Sequence, residues 1–234
     1  VPLELRHLRL YPRELRDSLS IGFPAFIRQV SQSVIIILIN NVLADYGDTS
    51  IAAFGLVHRV MIFSLLPLVG IGQGYQPIVG FNYGAGNAGR VLDAVKVTRR
   101  VAISISLIPF AAVMFFAPGI AGIFSADAAL VELAARAMRI ALSIIPLVAV
   151  QVIGSIFFQA VGRAGPALFL SLSRQVVFLI PAVIVLPQFL GRVGVWIAFP
   201  VADLLAAVVT VVWLSRALRQ LSAGSSPVAG AAAQ

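Results

Sequence analysis

The segment FNYGAGNAGR, residues 81–90, decides between two fold classes because it carries the spacing G-x-G-x-x-G. In a soluble α/β domain this spacing binds a dinucleotide: it follows a strand, opens a helix and needs an acidic residue about 20 residues further on. Here the preceding segment is apolar and long enough to cross a membrane, and no acidic residue lies between Asp93 and Asp127. We therefore predict that these glycines form a turn between two membrane helices.

The composition supports a membrane environment. Of the 234 residues, 60% are hydrophobic and only 11% are charged, and the mean hydropathy is +1.00. Soluble domains carry roughly a quarter charged residues, and a domain of this size could not bury so much apolar surface in water. The absence of cysteine excludes disulfides, thiolate metal sites and a cysteine nucleophile. Two histidines are too few for a histidine-rich metal site, so we expect no bound metal.

The net charge of +8 does not indicate a nucleic-acid partner. The basic residues lie between apolar runs, as they do in membrane proteins. An intramembrane enzyme would need clustered aspartates or paired histidines, and neither pattern occurs in the chain. We therefore expect neither an enzyme nor a cofactor. Because the chain begins at Val1 without a methionine, we also expect it to be part of a longer protein.

Apolar segments of about 20 residues predict membrane-spanning helices. Six such segments predict an all-α, polytopic membrane protein whose short connections make neighbouring spans antiparallel. The predicted spans are Ser18–Leu43, Ile51–Val79, Val97–Pro118, Ala134–Gln159, Gln175–Leu190 and Val195–Ser215.

The arginines and lysines predict the orientation of these spans. They concentrate in the N-terminal segment, the second and fourth connections and the tail, whereas the first and third connections have none. Arg192 in the fifth connection, with Arg136 and Arg139 just inside the fourth span, weakens the contrast. We expect both ends of the chain to be cytoplasmic, in the plasma (inner) membrane.

Two specific stretches and two more general ones resemble MATE (multidrug and toxic compound extrusion) transporters. GIGQGYQPIVGFNYGAGNAGRV, residues 70–91, is similar to the loop after the second helix of their C-terminal lobe. FFQAVGRAGPALFLSLSRQ, residues 157–175, together with GVWIAFPVAD, residues 194–203, is similar to the last three helices. The segment at residues 21–60 is similar to the first two.

The resemblance implies one lobe of a twelve-helix transporter with two six-helix lobes around a cleft. The partner would be the N-terminal six-helix lobe of the same longer chain, within the lipid bilayer. Residues 1–17 would be a cytoplasmic linker and residues 18–219 the six-helix lobe, and the small, alanine-rich residues 220–234 would be a disordered tail. The implied function is secondary-active efflux of amphipathic, often cationic compounds in exchange for H⁺ or Na⁺. A flippase of lipid-linked or polyisoprenoid cargo is the alternative.

Polar residues of the first span share one helical face, because they recur at i, i+3, i+4 and i+11. This face, with Arg28 beside it, either lines a substrate cavity or makes hydrogen bonds between helices of the lobe. The candidates for the cavity are Arg28, Gln29, Gln32 and Ser33, whereas Asn40, near the outer end, is expected to cap the helix.

Asp203 is the one carboxylate well inside any predicted span. By helix rise it lies at nearly the depth of His58 and Arg59 on the second span. An isolated carboxylate at that depth takes up a proton, whereas a neighbouring cation keeps it charged. We therefore predict that Asp203 pairs with Arg59 or His58, as a static contact or as a protonation switch. Arg174, at the start of the fifth predicted span, is expected to reach the headgroups.

Polar and glycine residues at the predicted cytoplasmic end of the second span form either a gate or a support for the glycine turn. They are Gln73, Gln76, Gly84, Gly86, Gly89 and Arg90. Prolines in every span either allow the helices to bend during alternating access or make static bends.

The coupling ion cannot be assigned to this lobe by resemblance. Some relatives carry acidic residues on the first and fourth helices of the C-terminal lobe, and the corresponding predicted spans here have none. We expect any coupling site to lie in the other half. A flippase cavity would need a strong cluster of cations for phosphate, and Arg28 and Arg59 are the only candidates, which favours drug efflux.

Overall fold

The computed structural model describes residues 29–222, and every regular element in that range is helical. The predicted linker, Arg28 and the end of the predicted tail lie outside the described residues. The helices are α1 (Gln29–Ala44), α2 (Asp48–Gly84), α3 (Ala88–Gly122), α4 (Ala128–Ala141), α5 (Ile145–Ala160), α6 (Ala164–Leu172), a π-helix (Ser173–Leu179), α7 (Ile180–Leu190) and α8 (Arg192–Ser222).

The predicted membrane fold is confirmed. Helices α2, α3 and α8 and the continuous helix Gly165–Leu190 are each longer and more apolar than a membrane crossing requires. Helix α1 has 16 described residues and is also apolar. Since α8 extends to Ser222, residues 220–222 of the predicted tail are helical.

The fourth predicted span is two helices rather than one. Helices α4 and α5 meet at an angle of 51° across Leu142–Ile144. Pro146, at the start of α5, explains the break: it has no N–H to donate to the carbonyl of Leu142, and its ring would clash with that carbonyl.

The glycine segment is a helix-ending turn, as predicted. The N–H of Gly86 donates to the carbonyl of Tyr83 and that of Asn87 to the carbonyl of Asn82, at 3.1 and 2.9 Å. This is a Schellman motif, which needs a residue with positive φ, and Gly86 has a φ of 73°. Gly162 has the same φ and ends α5 through the same pair of hydrogen bonds.

Helix α8 forms the centre of the lobe. Half of the residues in the most apolar stretch of α8 are buried, whereas only 22% of those in the corresponding stretch of α3 are buried. It packs against α4 and α7 at one end and against α5 at the other, within two hydrophobic clusters. Many large apolar side chains are exposed, including Phe115, Phe116 and Phe189, as expected for helices that face lipid.

Candidate functional site: a polar cavity between four helices

A cavity of about 120 Å³ lies between α1, α2, the π-helix and α8, and we call it the polar cavity. Most of its wall is apolar, including the rings of Phe54 and Phe199, whose centroids are 6.4 Å apart. Its polar lining consists of Gln32, His58, Arg174 and Gln175. Few polar groups in an apolar wall are typical of sites for amphipathic small molecules.

One wall of the polar cavity contains a buried ion pair. The Nε–H of Arg174 donates to Oδ1 of Asp203. The carboxylate side chain is 4% exposed, whereas the arginine side chain is 18% exposed and reaches the cavity. Among the described residues, Asp203 is the only acidic residue that is buried. The positive charge of the Arg174 guanidinium therefore offsets the negative charge of this carboxylate, which would otherwise be costly at bilayer depth.

The predicted pairing of Asp203 with Arg59 or His58 is wrong. Arg59 is exposed and its guanidinium lies 5.4 Å from the ring centroid of Phe124. His58 lines the polar cavity with its ring 5.7 Å from that of Phe54. Helix rise gave the depth of these residues but not the direction in which each side chain leaves its helix.

The predicted headgroup position of Arg174 is also wrong, for a different reason. The helix that carries it begins at Ala164 rather than at Gln175. Arg174 is therefore ten residues into the helix, which is about 15 Å at 1.5 Å per residue. The apolar run LFLSL at 168–172 was the available signal, because it extends the span towards the N-terminus.

The π-helix places Arg174 and Gln175 at the cavity. It lies just before Pro181, which has no N–H to continue the α-helical pattern, and the N–H of Ile180 donates instead to the carbonyl of Gln175, five residues back. At its other end the carbonyl of Leu170 accepts from Nε2 of Gln151 and Oγ of Ser173, both at 3.1 Å. Gln151 thus stabilises the junction between α6 and the π-helix.

An unpaired acceptor remains beside the ion pair. The Oε1 atom of Gln175 is buried and has no hydrogen-bond partner within residues 29–222. Because a buried amide oxygen without a donor is costly, it marks a position that a ligand or water donor would stabilise. Sequence reasoning missed Gln175 because the residue was taken as the first of its span.

The predicted face of α1 is divided. Gln32 lines the polar cavity, whereas Gln29 and Ser33 are exposed and do not line it. The hydroxyl of Ser33 donates to the carbonyl of Gln29 at 3.4 Å. The predicted site residue Arg28 precedes the described range. Only the part of this face that carries Gln29 and Ser33 is thus accessible to a partner beyond this chain.

The predicted gate residues lie at the end of α2 and the start of α3, and none of them lines the polar cavity. Gln73 and Gln76 are exposed on α2. Between them Tyr75 is buried, and its hydroxyl has no partner among the described residues. A gating role for this region stays a prediction. Within residues 29–222, no group of three histidine, aspartate or glutamate side chains could hold a metal ion.

Comparison with known proteins identifies the family. The profile of the MatE family matches residues 24–184, more than half of the chain. The chain belongs to the MatE family. Multidrug export protein MepA of Staphylococcus saprophyticus subsp. saprophyticus is 26% identical to this MatE chain over 207 residues, which cover 88% of the chain and 46% of the relative.

Solved structures agree with this assignment. The MATE multidrug transporter DinF-BH in complex with R6G is 40% identical and superimposes with a TM-score of 0.77 over 92% of this chain and 48% of that one. An outward-facing multidrug resistance MATE family transporter of the MOP superfamily is 25% identical, with a TM-score of 0.82 over 95% of this chain and 50% of that one. The MatE chain spans about half the length of these relatives, each of which is named as an exporter or transporter rather than an enzyme.

Proposed function

We propose that this MatE chain is the C-terminal half of a secondary-active multidrug exporter. The exporter moves amphipathic, often cationic compounds outward by alternating access, in exchange for H⁺ or Na⁺. The observation that carries the proposal is the polar cavity: a largely apolar, partly aromatic wall with a compensated ion pair, inside a lobe whose relatives include a protein named for multidrug export.

The size of the polar cavity supports a shared site. Sites for drug-sized ligands usually enclose about 300–1,000 Å³, whereas this cavity encloses about 120 Å³. It would therefore supply one wall of a larger cleft, and the exposed residues Gln29 and Ser33 would face the remainder. The other wall would come from the N-terminal lobe of the same longer chain.

The charge of the polar cavity disfavours the flippase alternative. A lipid-linked phosphate needs uncompensated cations, but the guanidinium of Arg174 is already paired with Asp203. An amphipathic cation meets no net positive charge there. The cavity therefore suits amphipathic cations better than phosphates.

The location of the coupling site and the orientation belong to the same proposal. The acidic residues of α2, α3 and α4 are exposed, and the buried Asp203 of α8 is paired with Arg174, which supports a coupling-ion site in the other half. Exposed basic residues gather where α3 begins and α8 ends, at the same end of the lobe, including Arg90, Lys96 and Arg219. This end would be cytoplasmic in the inner membrane.

Dye efflux from cells that express the full-length protein tests the proposal. We expect ethidium to leave these cells faster than cells without the protein, and Gln32→Ala to slow efflux by about threefold or more. Gln188→Ala is the matched control, because this glutamine is exposed on α7 and does not line the polar cavity. Efflux at the background rate for several cationic dyes, with the protein present in the membrane, would contradict the proposal.

A further inference from the structure

We propose that a second site, separate from the polar cavity, binds a membrane phospholipid by its phosphodiester group. The site is a groove of about 470 Å³ at the end of the lobe where α2, α4 and α8 begin. We call it the boundary groove. The residues that carry the proposal are Tyr46, Thr49, Glu132, Arg136, Arg192 and Trp196, all of which line it.

Two arginines converge on the boundary groove. Arg192 is the first residue of α8, and its Nη1 lies 3.5 Å from Oγ of Ser50. Arg136, on α4, pairs with Glu132 one turn earlier, and both side chains are largely exposed. With one carboxylate against two guanidinium groups, the groove keeps a net positive charge. Arg136 and Arg192 are two of the arginines that weakened the contrast in basic residues between the loops of the two predicted membrane faces.

The rest of the boundary groove is apolar and runs into the membrane. Leu133, Ala137 and Ile140 line it at i, i+4 and i+7 of α4, so they form one stripe along that helix. Trp196, which is almost fully buried, forms part of its wall. The groove therefore places two guanidinium groups next to an apolar wall, which matches the anionic phosphodiester and the acyl chain of a phospholipid.

The depth of the boundary groove selects a lipid rather than a free anion. It opens at the ends of membrane helices, and Tyr46 beside it is an aromatic residue of the kind that marks the headgroup level. Guanidinium groups bind phosphate oxygens through paired, charge-assisted hydrogen bonds. A free phosphate would use the arginines but not the half-buried Leu133 and Ile140 of the groove wall, whereas a phospholipid would contact both.

Native mass spectrometry of the full-length protein, purified in detergent, tests this assignment. Phosphatidylethanolamine and phosphatidylglycerol share the phosphodiester and should both bind, whereas diacylglycerol should not. Arg192→Gln should weaken binding of both phospholipids by about tenfold, the equivalent of one charge-assisted contact. Arg219→Gln, the matched control at the opposite end of α8, should leave binding unchanged. Arg136→Gln should also weaken binding, and because this side chain is largely exposed the substitution should not disturb folding.

Three results would overturn the assignment. One is equal phospholipid binding by wild type, Arg192→Gln and Arg136→Gln, and another is the absence of any bound phospholipid in the wild type. The third is displacement of the lipid by inorganic phosphate at comparable concentration, which would show a site for the free anion. None of these measurements depends on drug efflux. The assignment of the boundary groove can therefore be refuted while the proposed export function stands, and the export function can be refuted while the assignment stands.

Discussion

Removing either charge of the buried pair of Arg174 and Asp203 should destabilise the lobe far more than removing one charge of its exposed ion pair. The carboxylate is 4% exposed and lies inside a membrane helix, so Arg174→Gln leaves it without compensation. Removing one partner of a buried ion pair costs about 3–5 kcal/mol. Asp203→Asn should fall at the lower end of this range, because the remaining guanidinium is 18% exposed and borders the polar cavity.

The double variant tests whether the charges of Arg174 and Asp203 interact or whether the two residues affect stability independently. Arg174→Gln combined with Asp203→Asn leaves two neutral amides that can hydrogen-bond to each other. It should therefore be more stable than the sum of the single effects predicts, by about 2 kcal/mol or more. The assay is thermal unfolding of the full-length protein in detergent. At roughly 2 °C per kcal/mol, each single variant should lower Tm by about 6 °C or more.

The exposed pair of Glu132 and Arg136 is the control for this cycle. Its side chains are 66% and 73% exposed and one helical turn apart. Such pairs contribute about 0.5 kcal/mol or less, so Glu132→Gln should shift Tm by about 1 °C. If the effects of Arg174→Gln and Asp203→Asn simply add, or match the control in size, the guanidinium does not compensate the buried carboxylate as described.

Two substitutions test the packing and the π-helix. Gly194→Ala should destabilise the protein by about 1–3 kcal/mol, because a Cβ there would lie 2.5 Å from the backbone of Leu186. Gly55→Ala is the control: a Cβ there has no neighbour within 4 Å, so this variant should be neutral or slightly stabilising. Equal Tm values for the two variants would contradict this packing of α7 on α8. Gln151→Leu should cost about 1 kcal/mol by removing a donor to the carbonyl of Leu170, and an unchanged Tm would show that this hydrogen bond does not stabilise the junction.

The architecture was predictable from the sequence because the bilayer imposes a length and a composition on each span. The turn at Gly86 was predictable as well, since few residues adopt a positive φ. A bend at the proline of the fourth span was predicted, but its division into two helices at Pro146 was not, because hydropathy alone does not separate a bent pair from a straight helix.

The site was less predictable than the fold. From its position on one helical face, Gln32 was predicted to line a cavity or to bond to another helix, and it lines the polar cavity. The partner of Asp203 was missed, because pairing depends on the direction in which side chains point and on where each helix begins. An error of about ten residues in the start of the fifth span moved Arg174 from the membrane interior to the headgroups. A π-helix, which rotates Arg174 and Gln175 relative to an α-helix, has no simple signature in the sequence.

The accessibility of single cysteines tests most directly whether the polar cavity is the wall of a water-filled path for cargo. This chain has no cysteine, so Gln32→Cys and Ile184→Cys can be labelled separately in a full-length protein freed of other cysteines. We expect a water-soluble maleimide to react with the cysteine at position 32, more slowly when ethidium is present, and not at position 184, which is exposed on α7 towards lipid. Equal labelling of both positions, or labelling at position 32 that ethidium does not slow, would contradict the account.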